Sequence, residues 1–392
     1  MKISVIPSNP SLLNNRIFNR NPTRDSVFAP HKALKDLVVQ EGHDIATFDC
    51  LSVYEADKVL VFDGFFFPEI ILSALKRLGP AGLVGVFWEP PQIVPLYFDS
   101  DIHSCFGTIL LVENTWPDNR RIFYGPYPFP RYKTQWIPFH KRKMLVSISG
   151  GKLARFKGSL YPARVKSIRY FQNAFPDSFD MFGEGWERKG IIQGLLMNRR
   201  FTAYRGRCEN KQDTMRQYCF SICYENCDNI RGWVTEKMFD SMQAGCVPIY
   251  LGAPDIGEYV PKDCFIDRRD YDNERQLEEY LRSINEERFE LYLSNIKNYL
   301  NSDDFQKRLP DAFAKFMLRM ITRRAPAELE MPRVAGIRKL KFLSAKNHLR
   351  NAKVNSLGSD IRILFENGNR NDLAKFSVDV LCASIRKLWY RI

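Results

Sequence analysis

The segment from Tyr224 to Gly252 concentrates side chains that could do chemistry. Its sequence is YENCDNIRGWVTEKMFDSMQAGCVPIYLG, with a Glu-Asn pair near its start and a Glu-Lys pair at Glu236 and Lys237. The pattern predicts a strand that ends in a polar loop, a helix that begins at the Glu-Lys pair and stops at Gly245, and a second buried strand. Unpaired N–H groups and the helix dipole favour an anion at that helix N-terminus, and a diphosphate is the obvious ligand class. Taken alone, such a pair is more often a capped helix with a surface ion pair.

The elements around this segment follow a regular α/β order. In the first third of the chain, the strand-like stretches KISVIP, ADKVLVFDG and GLVGVFWEPP alternate with helix-like ones. A second series begins at MLVSIS, after a connection at 124–143 that is rich in Pro and aromatic residues. This alternation predicts parallel sheets with crossover helices, whose ligands bind beyond the carboxyl ends of the strands. We therefore predict two domains, at 1–140 and 141–322, with a cleft between them.

Positive charge is distributed unevenly along the chain. The 392 residues carry a net charge of +13, and the last part, 321–392, holds 15 Lys and Arg against 6 Asp and Glu. We predict a basic tail at 323–392 that ends in an amphipathic helix. Two outcomes stay open for this helix: it lies on an anionic membrane surface, or it packs on the protein's own core. Its apolar stripe consists of Leu381, Ile385, Leu388, Trp389 and Ile392.

Cysteine usage and candidate metal motifs indicate a reducing compartment and no metal requirement. The nine Cys residues have no zinc-finger spacing, and the chain has no N-x-[ST] sequon with a residue other than Pro in the middle. Asp99 and Asp101 form a D-x-D motif, but it lies in a polar loop of the predicted first domain. SGGK at 149–152 lacks the spacing of a phosphate loop, although Lys152 could still reach a phosphate beside the cleft. We therefore predict a cytoplasmic protein with no metal site.

The order of motifs in the second half resembles the α-1,3-fucosyltransferase family, glycosyltransferase family 10, in its bacterial type. The motifs are YEN, WVTEK, GCVPIYLGAPDIGEYVP and CFIDRRDY. They lie between Lys211 and Tyr271, and a weaker resemblance extends over most of residues 1–320. The resemblance implies an α/β protein of the GT-B arrangement, with two facing Rossmann-like domains. The N-terminal domain would bind the acceptor, and the C-terminal domain would bind GDP-fucose.

The resemblance also implies roles for residues of the donor site. Arg164 and Lys237 would neutralise the diphosphate, and Glu236 would bind the ribose hydroxyls. Asn226 would line the site, with Glu225 shaping the loop. In this interpretation the departing GDP is stabilised by protein cations and a helix N-terminus, without a metal.

Two further positions are singled out by the same resemblance. Trp233 would line the donor site, but it stands where the family pattern has Tyr, and the loop 226–233 is one residue longer. An indole has an N–H donor and no hydroxyl, so a phosphate contact made by a Tyr hydroxyl is in doubt here. Glu89, in FWEPP at a predicted strand end, matches the family's catalytic Glu. A base must lie within hydrogen-bond reach of the attacking hydroxyl, and burial beside Trp88 can raise the pKa of a carboxyl.

The resemblance thus implies an inverting enzyme that moves L-fucose from GDP-fucose to a hydroxyl of an oligosaccharide or glycolipid. An α-1,3 linkage and a role in surface-glycan synthesis are expected. No cofactor is required, and stimulation by divalent cations would be non-essential. We predict a cytoplasmic protein with peripheral contact at the inner membrane through its tail. Two alternatives stay open: a donor that is another GDP-sugar, and a basic nucleic-acid-binding protein, which would need cations clustered on its body.

Overall fold

The computed structural model describes residues 1–19, 28–63, 65–133, 135–152, 154, 156–186, 201–326 and 331–351, with side chains up to 347, and the description below refers to these residues. Within them the chain forms two parallel sheets, each flanked by helices. Two separate sheets agree with the two α/β series of the sequence. The two predicted domain boundaries, at 140 and 322, remain predictions.

The first sheet has the strand order β2-β1-β3-β4-β5-β6, and every pair in it is parallel. Strands β3 and β4, with sequences KVLVF and LVGVF, are almost fully buried, as expected for parallel strands that are covered on both faces. The strands are β1 (Lys2–Ile6), β2 (Asp44–Thr47), β3 (Lys58–Phe62), β4 (Leu83–Phe87), β5 (Thr108–Leu111) and β6 (Ile122–Tyr124). The helices of this part are α1 (Ala29–Gln40), α2 (Pro68–Leu78) and α3 (Ser100–His103).

The second sheet has the order β11-β10-β9-β7-β8 and is also parallel. Its strands are β7 (Lys143–Ile148), β8 (Phe179–Phe182), β9 (Tyr218–Tyr224), β10 (Val247–Leu251) and β11 (Ile266–Asp267). The helices of this part are α4 (Tyr161–Ala174), α5 (Lys211–Met215), α6 (Glu236–Gln243), α7 (Glu274–Ser283), α8 (Glu286–Leu300) and α9 (Asp303–Gln306). Strand order reverses between β7 and β9, so a ligand is expected at the carboxyl ends of these two strands.

Helix α6 follows the sequence prediction closely. It ends one residue before Ala244, and Gly245 has φ +71, the left-handed backbone that a glycine adopts without a Cβ penalty. Its residues Met238, Phe239 and Met242 are fully buried against the second sheet. The polar first turn of α6 is thereby directed to the same sheet edge as the end of β9.

The chain returns to the first sheet after residue 310. Helix α10 (Pro310–Thr322) packs on α1, and its residues Phe313, Met317 and Ile321 belong to the apolar core of the first sheet. Helix α11 (Val334–Asn351) packs on α2 and α3. The described part of the basic tail is therefore docked on the first domain, whereas the predicted terminal helix at 381–392 lies outside the described residues. None of the described helices is both long and apolar enough to cross a bilayer.

Candidate active site

Glu225 organises the loop between β9 and α6. It is the first residue after β9, and it is fully buried. Its carboxylate accepts hydrogen bonds from the backbone N–H and the hydroxyl of Thr235, at 2.9 and 2.7 Å, and Lys237 Nζ lies 3.0 Å away. A buried carboxylate requires such partners, because an uncompensated charge in the interior is strongly destabilising. One side chain thus joins the two ends of the loop that the sequence analysis assigns to the donor site.

The first turn of α6 offers positive potential at the sheet edge. The Thr235 N-cap makes no side-chain hydrogen bond to the helix, since its hydroxyl binds Glu225. The first N–H groups of a helix have no acceptor within the helix and are suited to an anion. Burial alone would lower the pKa of Lys237, but the carboxylates of Glu225 and Glu236 outweigh burial and raise it. Lys237 is therefore a permanent cation at this helix end.

Glu236 remains an ionised carboxylate despite its partly buried position. Burial acts to raise the pKa of Glu236, but the positive charges of Lys237 and Lys211 lower it overall. An ionised carboxylate accepts hydrogen bonds and donates none. Glu236 can therefore accept hydrogen bonds from two neighbouring hydroxyls, which is the chemistry its predicted ribose contact needs.

Arg164 braces the chain where β9 ends. It lies on α4 and is only 4% exposed. One guanidinium nitrogen donates to the carbonyl oxygens of Tyr224 and Glu225, at 2.5 and 2.9 Å, and lies 3.5 Å from Asn226 Oδ1. Arg164 and Asn226 thus meet at the predicted site. The contact between Arg164 and a diphosphate stays a prediction.

Glu89 lies at the carboxyl end of β4 and faces the second domain. Its Oε2 atom is buried without a hydrogen-bond partner among the described residues. Burial raises the pKa of Glu89, and the positive charges of Lys237 and Lys152 in the second domain oppose this rise. An unpaired carboxylate oxygen with a raised pKa is suited to receive a proton. The structure therefore brings Glu89 toward the same region as the start of α6.

Asp63 and Tyr97 surround Glu89, and sequence reasoning missed both. Asp63 follows β3, has φ +35, and accepts a hydrogen bond from the Trp88 N–H at 2.9 Å. Burial raises the pKa of Asp63 to about 7, although its hydrogen bonds with Trp88, Glu89 and Tyr97 act in the other direction. A signal for Asp63 was available in the sequence, since it directly follows β3, the strand that pairs with β4. The carboxyl ends of neighbouring parallel strands lie at the same edge of a sheet, so Asp63 is expected near Glu89.

Replacing Asp63 with Asn should stabilise the protein increasingly as the pH rises from about 4 to about 7, with the full gain above pH 7. The folded state holds the Asp63 carboxyl protonated up to about pH 7, whereas the unfolded chain ionises it near pH 4. The stability that this proton contributes is present below about pH 4 and is lost as the pH rises through 7. We expect the free energy of unfolding of Asp63→Asn, relative to that of the wild type, to rise by on the order of 2 kcal/mol between pH 5 and 8.

Denaturant unfolding at both pH values measures this difference, with the exposed Asp177→Asn as control. An advantage that does not depend on pH would contradict this assignment.

Two further side chains lie near Glu89: Lys152, which the sequence analysis places beside the cleft, and Tyr127, which lies in the connection at 124–143. Lys152, in the turn after β7, is exposed, and its charge acts on Glu89. Tyr127, in the Pro-rich connection, lies with its ring 5.4 Å from that of Trp88. Burial raises the pKa of Tyr127, and the carboxylates of Glu236 and Glu89 add to the rise. Both residues therefore border the space between the two domains.

Trp233 is packed between the donor loop and the first domain. It is 3% exposed and belongs to the apolar core that contains Trp88. Its indole Nε1 donates to the backbone carbonyl of Trp88 at 3.2 Å. The single N–H of the indole is thus directed to the first domain, and the predicted contact of Trp233 with the donor stays a prediction.

The D-x-D pair is engaged by the tail helix α11. Lys339 Nζ lies 2.5 Å from an oxygen of Asp99 and 2.9 Å from one of Asp101. Arg333 lies 3.4 Å from Asp101. The two carboxylates therefore anchor α11 on the first domain. The described residues contain no group of three or more His, Cys, Asp or Glu that could hold a metal ion.

Part of the second domain is similar to a known protein family. Residues 157–316 match the model described as glycosyltransferase family 10 (fucosyltransferase), C-terminal part. Among curated proteins, the rat alpha-(1,3)-fucosyltransferase 7 is 28% identical over 164 residues, which are 39% of this chain and 42% of that protein. The Helicobacter pylori alpha-(1,3)-fucosyltransferase FucT is 30% identical over 76 residues, 19% of this chain and 16% of that protein. The chain therefore spans less than half the length of these two relatives.

Solved structures support the architecture of most of the chain. A crystal structure of an alpha1,3-fucosyltransferase covers 82% of this chain and 90% of its own, at 15% identity and a TM-score of 0.52. The structure of an alpha1,3-fucosyltransferase with GDP-fucose has a TM-score of 0.50 with the same coverage and 15% identity. This likeness confirms the predicted α/β fold of the GT-B arrangement, with two parallel-sheet units that face each other.

Proposed function

We propose that this chain is a GDP-fucose-dependent fucosyltransferase, because residues 157–316 match the model of the C-terminal part of the family 10 fucosyltransferases. It transfers L-fucose to a hydroxyl of an oligosaccharide or glycolipid, with inversion and an α-1,3 linkage. The observation that carries the proposal is the unpaired buried oxygen of Glu89, whose carboxyl lies near enough to the cation Lys237 for that charge to act on its pKa. A base and a positively charged leaving-group site on opposite sides of one cleft are what an inverting transfer requires.

Glu89 acts as the base in this proposal. Its carboxylate takes the proton of the acceptor hydroxyl while the hydroxyl oxygen attacks the anomeric carbon of fucose from the face opposite GDP. The new C–O bond forms as the bond to the diphosphate breaks, and the electron pair leaves with GDP. The raised pKa of Glu89 makes the carboxylate a stronger base for this proton, as general base catalysis requires.

Lys237 and the N-terminus of α6 stabilise the charge that develops on the departing diphosphate. Preorganised donors in a site with little water are worth more than the same donors in bulk solvent. Glu236 binds the ribose hydroxyls, and Arg164 with Asn226 shapes the edge where the nucleotide lies. Lys152 lies beside the same space and can add a second positive charge. Because these groups supply the positive charge, we expect a chelator such as EDTA to leave most of the transfer rate.

The decisive experiment supplies donor and acceptor directly. Purified protein is incubated with GDP-fucose and a panel of oligosaccharide and glycolipid acceptors, and product linkage and anomeric configuration are determined by NMR. Thermal shifts with GDP-fucose, GDP-mannose and UDP-glucose test the donor separately. We expect stabilisation by the two guanosine nucleotides and transfer from GDP-fucose only. Transfer from GDP-mannose would favour the alternative donor, and no stabilisation by any guanosine nucleotide would refute the proposal.

We also propose that the enzyme acts in surface-glycan synthesis at the cytoplasmic face of the inner membrane. Support comes from the net charge of +13 and from the exposed basic side chains Arg338 and Lys341 on the docked helix α11. Anionic lipid headgroups attract such clusters at low salt. The full chain should float with vesicles that contain phosphatidylglycerol and not with pure phosphatidylcholine vesicles. Arg338→Glu with Lys341→Glu should weaken flotation, and flotation that depends on neither charge nor lipid would refute it.

A further inference from the structure

Three hydrogen bonds join residues 231–233 of the donor loop to the first domain. The pairs are the Asn114 N–H with the Arg231 carbonyl (3.1 Å), the Tyr124 hydroxyl with the Gly232 carbonyl (2.8 Å), and Trp233 Nε1–H with the Trp88 carbonyl (3.2 Å). We name this set the interdomain clasp. It connects the loop after β9 to the ends of β4, β5 and β6.

The backbone of the clasp is locally reinforced. Asp255, which is 6% exposed, accepts hydrogen bonds from the Gly232 N–H and from Asn114 Nδ2, each at 3.0 Å. Gly232 has φ +79, and a Cβ at this position would come within 2.9 Å of the Tyr124 ring. Only glycine fits this conformation and this close approach. The loop is therefore built to approach the first domain closely.

The clasp ends on the peptide that precedes Glu89. The Trp88 N–H donates to Asp63 at 2.9 Å, and the Trp88 carbonyl accepts from Trp233 at 3.2 Å. The first domain thus holds one side of Trp88, and the donor loop holds the other. Glu89 follows directly, and its Oε2 atom has no partner of its own among the described residues. The direction of the Glu89 side chain therefore depends on how the Trp88 peptide is held.

The other end of the same loop belongs to the donor site. Thr235 lies two residues after Trp233 and binds the buried carboxylate of Glu225, which also contacts Lys237. A change in the loop at the nucleotide can therefore reach Trp233 through a short stretch of buried backbone. This continuity connects the cation of the donor site with the peptide that orients the base.

We propose that Trp233 is a positioning residue: its indole N–H sets the Trp88 peptide so that Glu89 points at the acceptor hydroxyl when the donor loop is in place. This inference rests on the proposed function of Glu89 as the base. It assigns Trp233 to orientation of the base, in place of the donor-site wall that the family resemblance implies. A displacement of about 1 Å in a catalytic group can lower a rate by about 100-fold, so one backbone hydrogen bond is sufficient for a measurable effect.

The test must separate the indole N–H from indole packing, because Trp233 is a large buried side chain. Trp233→Phe removes the N–H and part of the ring. A second variant carries 3-benzothienylalanine at position 233, introduced by amber suppression, which keeps the bicyclic shape and lacks the N–H. We expect both variants to lower kcat roughly 10- to 30-fold, because each removes the hydrogen bond to the buried Trp88 carbonyl, and a rate loss of this size corresponds to the loss of one such bond. The dissociation constant of GDP should stay within about threefold of the wild-type value.

A double-mutant cycle with Glu89 distinguishes a positioning role of Trp233 from a loss of activity that is independent of Glu89. If Trp233 acts through Glu89, Trp233→Phe should cause no further loss in a Glu89→Gln background, because the base is already absent. Tyr124→Phe serves as the matched control: it removes another bond of the clasp without touching Trp88 and should lower kcat by at most about threefold.

Three results would overturn the inference. They are an unchanged kcat in the benzothienyl variant, an additive loss in the Glu89→Gln background, and an equal loss in Tyr124→Phe. A wild-type protein that binds no GDP-fucose or transfers no fucose would refute the proposed function instead. The failure of the two proposals is therefore distinguishable in one set of measurements.

Discussion

Replacing Glu89 with Gln is expected to lower fucose transfer by roughly 10²- to 10⁴-fold, the usual contribution of a general base. Gln has the shape of Glu but cannot take a proton at neutral pH. Donor binding should persist, because Glu225, Glu236 and Lys237 are unchanged. Steady-state transfer rates and isothermal titration with GDP measure the two effects separately.

The control for this prediction is Glu55→Gln, a neutralised carboxyl on the surface of the first domain. It should retain full transfer, so that loss of charge alone is not the cause. Full activity in Glu89→Gln would remove Glu89 as the base. Loss of GDP binding in that variant would instead indicate a structural defect.

The pH dependence of transfer should reveal the same group. Burial raises the pKa of Glu89, so its base form is lost at a higher pH than for an ordinary Glu. The value of kcat/KM should therefore fall as the pH drops through this raised pKa. The acidic limb should be absent from the residual activity of Glu89→Gln.

Replacing Lys237 with Gln is expected to weaken GDP binding by roughly 10- to 100-fold. This range corresponds to the free energy that one hydrogen bond to a charged group contributes. Lys237 is the permanent cation at the start of α6, and its pKa is raised by Glu225 and Glu236 against the effect of burial. If its role is to bind phosphate, guanosine binding should change little while GDP binding falls. Isothermal titration with guanosine, GMP and GDP measures this difference.

The matched control is Lys166→Gln, which removes an exposed cation on α4 that pairs with Glu274. It should leave the affinity for GDP within about twofold. An equal loss for guanosine and GDP in Lys237→Gln would indicate that Lys237 serves mainly to balance the buried Glu225. Thermal midpoints of each variant show whether the loop between β9 and α6 still folds.

Most of the secondary structure could be predicted from the sequence, because its signals are local. The apolar runs before Glu89 and Glu225 become buried parallel strands, and Gly245 ends α6 with a positive φ. The 274–300 stretch has helical periodicity throughout, but the structure divides it. It forms two helices, α7 and α8, because the Asn285 side chain accepts from the Arg288 N–H and starts a new helix. A cap of this kind is recognisable in sequence, but helical periodicity continues through it.

The candidate site was predictable in part. Motif order placed Glu89, Glu236 and Lys237 at strand ends and at a helix start, and in the structure the charges of Lys237 and Glu236 act on Glu89. It did not reveal Asp63 or Tyr97, whose relevance depends on neighbours in space. Nor did it reveal that Trp233 packs beside Trp88, because periodicity shows that a residue is buried but not which domain buries it.

The sequence by itself determined the elements, their parallel order and the residue types at the sheet edge. The signals for these features are the periodicity of apolar residues, helix capping and turn chemistry, and all of them act within a few residues. Tertiary structure alone decided the partners. Trp233 and Trp88 are 145 positions apart and meet only because two domains pack with their strand ends facing each other. Lys339 meets Asp99 across 240 positions by the same kind of packing. Such contacts depend on the sum of many apolar surfaces, which no local pattern records.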